Sequence, residues 1–216
     1  MNKEKKIIGI FVIIAVTLVA GFIILFQFSS PKIYGNKGGS SGEVSRYVSR
    51  DIPMTDSNGS TRRLMDLKGK VWLISHVFTR CPGQCAGVCV VLDEIRKDVN
   101  DKENLQFVSV TLDPNHDTPN HLKAFSNKHG FVTDDWWFLT GESSELNRYM
   151  MEVFSLSAQE KKESEKVSED DIFAHKPMVA LINHELKIEG WYNPFDKRSS
   201  EALREKLLFA LNEAKS

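Results

Sequence analysis

The sequence predicts an α/β domain, a central mixed sheet flanked by helices, carried behind one apolar N-terminal helix. Three observations predict it. "KVWLISHVF" (Lys70 to Phe78) and "LQFVSVTL" (Leu105 to Leu112) are continuous apolar runs suited to strands buried on both faces. Between them, Val88, Leu92 and Ile95 recur at helical spacing. Near the start, Ile7 to Phe26 gives twenty residues without a charge, long enough at about 1.5 Å per residue to cross a hydrocarbon core of roughly 30 Å.

Strand, helix, strand in that order makes a right-handed βαβ unit with parallel strands. The next helix is announced by Thr118 as N-cap, Pro119 at the first helical position and Gly130 as the stop. "SSELNRYMMEVFSL", beginning at Ser143, is another. "MVALINHELKIEGWY" reads as a β-hairpin turning at Asn183–Glu185, and "SSEALREKLLFALNEA" closes the chain as an amphipathic helix. This order of elements is that of a thioredoxin-like fold. The biased stretch "SAQEKKESEKVSEDD", Ser157 to Asp171, reads as a solvated loop or a frayed helix end.

The 216 residues, 41% of them apolar, suffice for one ordinary domain and an appendage. With 28 basic and 29 acidic residues the chain has no basic field to hold nucleic acid. The apolar run exceeds a signal peptide's apolar region and ends in Phe26, Gln27 and Phe28 without a small-residue cleavage site, so it reads as an uncleaved transmembrane anchor. Lys3, Lys5 and Lys6 keep the N-terminus in the cytoplasm. The expected organisation is therefore a cytoplasmic stub and anchor over 1–28, a Gly/Ser/Lys-rich linker over 29–48 and a domain over 49–216. The expected location is the inner (cytoplasmic) membrane, single-pass, with the domain on the extracytoplasmic, periplasmic side.

Exported thiols meet oxidising conditions, yet this chain has three cysteines, all in "CPGQCAGVC". Pro82 favours helix initiation and puts Cys81 at or beside the N-cap. There the unpaired N–H groups and the positive end of the helix dipole stabilise a thiolate, with Arg80 adding to the effect. Cys85 follows one turn later on the same face, so the two sulfurs can share one disulfide or one metal ion. A disulfide closing so short a loop removes little chain entropy, which weighs against a purely stabilising bridge. Cys89 lies one further turn on, toward the sheet-facing Val88 and Leu92, and reads as core packing, with a third sulfur near the site as the alternative.

"FTRCPGQC" (Phe78 to Cys85), "VTLDPNHDTP" (Val110 to Pro119), "WWFLTG" (Trp136 to Gly141) and "AHKP" around His175 together resemble the Sco/SenC family of thioredoxin-fold copper proteins. The resemblance implies a copper site made of Cys81, Cys85 and His175, holding Cu(I) or Cu(II). It also implies that the chain serves assembly of the binuclear copper centre of cytochrome c oxidase, with the copper-accepting oxidase subunit as partner. Thiolates suit Cu(I) and an added imidazole suits Cu(II). Asp113 matches the family's acidic residue at the end of the second strand, where it either supports a ligand from outside the coordination sphere or caps the turn before Pro114. Pro177 stands where a thioredoxin fold often has a cis-proline, and either isomer is open. Three positions depart from the family: Ala86 where Pro is common, Cys89 as an extra thiol, and Asn183 where the hairpin turn commonly has Asp.

Among the other histidines, His121, His129 and His184 read as solvated, His116 as an exposed loop residue, and His76 as a core residue satisfied by hydrogen bonds. Trp136 and Trp137 read as sheet packing. Copper delivery is the leading function. The alternative is a thiol-disulfide oxidoreductase acting on an oxidase subunit, with Cys81 attacking and Cys85 resolving, itself served by a thiol-reducing partner. A thiol peroxidase, prompted by Thr79 and Arg80 before Cys81, and a copper or redox sensor are the remaining readings.

Overall fold

The computed structural model describes residues 47–81, 84–166, 168–170 and 172–215. The apolar run over 7–26, most of the linker, Pro82, and two positions of the charged stretch lie outside them. Among the described residues no helix is long and apolar enough to cross a membrane. Tyr47 and Val48, read as the linker's end, already belong to the domain: the Val48 N–H donates to the Leu186 carbonyl at 2.9 Å and its side chain is buried.

The domain is built on a seven-stranded mixed sheet. Its strands are β1 (Met54–Asp56), β2 (Thr61–Arg62), β3 (Val71–Val77), β4 (Leu105–Thr111), β5 (Trp136–Thr140), β8 (Val179–Ile182) and β9 (Ile188–Tyr192), in the order β2-β1-β5-β4-β3-β8-β9. β3 and β4 run parallel, with partners from Val71↔Leu105 to Val77↔Thr111, and every residue of both is buried, as two-faced apolar runs require. β5 extends the parallel set beside β4, while β8 is antiparallel to β3. The sequence reading had no strand at Trp136–Thr140; the tryptophans do pack the sheet, but from within a strand of it.

Among the described residues four α-helices cover the sheet: α1 (Gln84–Asp98), α2 (Pro119–His129), α3 (Ser143–Phe154) and α4 (Lys197–Glu213). α1, α2 and α4 pack one face through Val88, Leu92, Ile95, Leu122, Phe125, Leu203 and Leu207. α3 packs the other through Leu146, Tyr149, Met150 and Phe154, beside Trp72 and Ile74. Fully burying side chains of this size contributes roughly 1.5–3 kcal/mol each. α2 has the caps its sequence announces: Thr118 accepts from the His121 N–H at 3.4 Å, and Gly130 ends the helix at φ 75°. α3 is capped by the Glu142 carboxylate, which accepts from the N–H groups of Ser144 (3.0 Å) and Glu145 (2.7 Å).

The hairpin turn is organised by buried Asn183, whose Oδ1 accepts from the N–H groups of Glu185 and Lys187, each at 3.0 Å. The Asn found where the family commonly has Asp therefore performs the turn-capping task. The charged stretch also differs from a plain loop: Ala158–Glu160 forms β6, antiparallel to β7 (Phe173–His175), with Ala158 opposite His175. This two-stranded ribbon stands apart from the main sheet in hydrogen bonding. No cis peptide bond occurs among the described residues, so Pro177 is trans.

Candidate metal centre

Parallel α/β sheets place their sites at the carboxyl ends of the strands, and β3 ends there in Phe78-Thr79-Arg80-Cys81. Asp117 fixes this segment from inside. Fully buried, its carboxylate accepts from the Thr79 N–H at 3.1 Å, from the Thr79 hydroxyl, from the Thr111 hydroxyl at 2.6 Å and from His116 Nδ1 at 3.0 Å. The Cys81 N–H then turns back to the Phe78 carbonyl at 3.0 Å.

Cys81 is partly exposed and Cys85 fully buried. The Cys85 N–H, in the first turn of α1, points at Cys81 Sγ over 3.5 Å. A helix-start N–H aimed at a sulfur favours its anionic form. The Cys85 thiol is pushed far above the ordinary thiol range, first by its hydrogen bond to Cys81, then by burial and by the neighbouring Cys81 and Cys89 sulfurs. These surroundings favour the neutral Cys85 thiol.

His175 reaches the same place from β7, with Nε2 3.4 Å from Cys85 Sγ. Its Nδ1 faces the Lys176 carbonyl at 3.4 Å. A carbonyl only accepts, so Nδ1 carries the hydrogen and Nε2 presents its lone pair to the sulfur. The ribbon is held there by the Phe173 ring, edge-on to Phe78 at 5.3 Å, in a small apolar cluster with Cys85 and Leu112. Cys85 and His175, ninety positions apart, are thus in contact. Among the described residues no three His, Cys, Asp or Glu side chains already enclose a point for an ion, so a three-ligand site requires Cys81, Cys85 and His175 to close further. Two sulfurs and one imidazole form a donor set that suits copper in either common oxidation state, whereas zinc favours four ligands in closed sites.

The Asp113 carboxylate accepts from Arg80 Nη2 at 2.5 Å. Arg80 also lies 3.8 Å from Asp170 of the charged stretch and over the Phe78 ring. Asp113 thus holds the residue before Cys81. Its turn is closed by the backbone, the Asp113 carbonyl accepting from the His116 and Asp117 N–H groups at 3.0 and 2.7 Å.

Cys89 is a core residue among Val88, Leu92 and Phe107, and burial pushes its thiol up to about 12, partly opposed by a bond to Ser109. His121 and His129 are exposed and His184 half-buried, while His116 is half-buried on Asp117. His76 is only half satisfied. Nε2 donates to the Leu156 carbonyl at 3.2 Å while Nδ1 is buried with no hydrogen bond inside the usual distance among the described residues. Burial lowers the His76 imidazole to about 4, against the raising effect of that carbonyl. It lines a cleft of about 250 Å³ with Arg148, Met151 and Ala158, beside β6.

The sequence profile of the SCO1/SenC family matches residues 44–210. A SCO1 protein homolog of Bacillus subtilis is 26% identical over 149 residues, 68% of this chain and 74% of that protein. A SCO1/SenC family lipoprotein from Bacillus anthracis superposes with TM-score 0.66 at 24% identity, covering 77% of this chain and 96% of its own. ScoI of Bradyrhizobium japonicum, solved with copper bound, superposes with TM-score 0.62 at 22% identity over 74% and 98% of the two chains. BsSco, described with a disulfide switch and as a member of the Sco family of cytochrome c oxidase assembly proteins, gives TM-score 0.64 at 24% identity over 76% and 93%. With its thioredoxin-like sheet, its paired cysteines at the head of α1 and the profile spanning most of its length, this chain belongs to the SCO1/SenC family.

Proposed function

We propose that this protein is a membrane-tethered copper carrier that uses Cys81, Cys85 and His175 to deliver copper to the copper-accepting subunit of cytochrome c oxidase. The observation that carries this reading is the 3.4 Å approach of His175 Nε2 to Cys85 Sγ, made by residues from separate elements. A dithiol enzyme needs its two sulfurs and a route for protons; it has no need of an imidazole with a bare nitrogen turned to the buried sulfur. A copper site needs that third donor. Copper would displace the Cys85 proton, and Arg80, held by Asp113, would keep the Cys81 segment in place. Oxidation of Cys81 and Cys85 to a disulfide removes both thiolates, so redox state would gate loading. The apolar run over 7–26 would anchor the domain to the cytoplasmic membrane, on its extracytoplasmic side.

One observation favours a second reading, a thiol-disulfide reductase acting on the oxidase subunit: the Cys85 N–H directed at Cys81 Sγ is suited to an attacking thiolate. Oxidase activity in host cells lacking this protein, restored with variants, separates the two. The carrier reading expects His175→Ala to fail as fully as Cys81→Ser. Full restoration by His175→Ala would exclude it in favour of the reductase.

A further inference from the structure

His116 and His121 lie in the turn before α2 and in its first turn, with rings stacked at 4.6 Å between centroids and 12° between planes. Their hydrogen bonds fix both tautomers. His116 Nδ1 meets the Asp117 carboxylate at 3.0 Å, and His121 Nδ1 meets the His116 carbonyl at 2.5 Å. An ionised carboxylate and a carbonyl only accept, so in both neutral rings Nδ1 carries the hydrogen and Nε2 has a free lone pair. Neither Nε2 has a hydrogen-bond partner among the described residues. His121 is exposed and the His116 side chain is 36% exposed.

A histidine whose far nitrogen is donated to a carboxylate or a carbonyl is the arrangement that orients and strengthens imidazole metal ligands. Two such rings side by side on a surface are more than solvated side chains. We propose that His116 and His121 form a second metal site, a two-imidazole site for a divalent ion of the Cu(II) class, outside the cysteine centre. Imidazole donors select zinc, nickel and copper, and Cu(II) heads the affinity order among divalent ions. For both Nε2 atoms to reach one ion at about 2 Å each, the exposed His121 ring must turn out of its stack on His116, with water completing the ion's shell. Asp117, which orients His116, also accepts from the Thr79 N–H, two residues before Cys81, so this site shares its buried anchor with the cysteine segment.

The site stands without the cysteines, so its test removes them. The full chain carrying Cys81→Ser and Cys85→Ser, kept in mild detergent, is titrated with Cu(II) and followed by electron paramagnetic resonance. One bound ion with hyperfine coupling to two imidazole nitrogens is expected, its affinity falling about tenfold or more with His121→Gln. His129→Gln, on the far end of the same helix, leaves it unchanged. Affinity and nitrogen coupling that survive His121→Gln overturn the proposal. Because His121→Gln alters an exposed ring and not Asp117, loss of binding would not reflect loss of the fold.

Discussion

Asp117 gathers four hydrogen bonds in a fully buried position, from residues of β3's end, β4 and the turn before α2. Asp117→Ala leaves the Thr79 N–H and two hydroxyls without their acceptor and should destabilise the domain by about 3 kcal/mol. A lower denaturant midpoint with unchanged slope checks it. In "LDPNHDTP" the sequence offers two aspartates, and Asp113 drew attention because it ends the strand. That Asp117 turns inward is decided by Thr79, just after β3, and Thr111 at the end of β4, which no local pattern displays. His76 gives a second residue-scale expectation. Its folded value of about 4 lies below the ordinary 6.5, so the unfolded chain binds the extra proton. Its contribution is complete above about pH 6.5 and is lost as pH falls toward 4; between pH 7 and pH 5 the loss is about 2 kcal/mol. His76→Gln should flatten that part of the stability–pH profile measured by denaturant unfolding, and an unchanged slope would contradict the assignment.

Secondary-structure elements were legible in proportion to how local their signals are. β3 and β4 declare themselves by unbroken apolar runs, and α2 by Thr118, Pro119 and Gly130, all of which act as read. β5 is five residues long and its pattern is masked by adjacent tryptophans. The β6–β7 ribbon is less legible still, because Ala158–Glu160 is polar and partly exposed and gains its strand form only from pairing with Phe173–His175. That pairing is what sets His175 in place. The Lys161 N–H donates to the Ile172 carbonyl at 2.7 Å at the ribbon's end. Lys161→Pro removes this donor and should lower copper affinity about tenfold through loss of His175 positioning. The thermal midpoint should hardly change, since the ribbon lies outside the seven-stranded sheet. Equal copper affinity in a competition titration would show that the ribbon does not position His175.

At the scale of the whole molecule, the fold gives the three cysteines different surroundings. Cys89 faces the core between α1 and the sheet, whereas Cys85 belongs to a separate cluster with Phe78 and Leu112 at the strand ends, and Cys81 stands at that cluster's edge. The spacing of the cysteines and the strand before them place Cys81 just after β3 and Cys85 at the head of α1, where the structure has them. The reach of His175 was not in any spacing; it entered through resemblance, and in the structure the Phe173–Phe78 contact accounts for it. In the proposed carrier, Cys81, Cys85 and His175 hold one copper ion together. Anaerobic Cu(II) titration of the reduced full chain, followed by absorption, tests it most directly, with His175→Ala and Cys89→Ser alongside. A single intense sulfur-to-copper charge-transfer band, lost in His175→Ala and kept in Cys89→Ser, is the expected result. A band that persists without His175, or that disappears with Cys89, would contradict it.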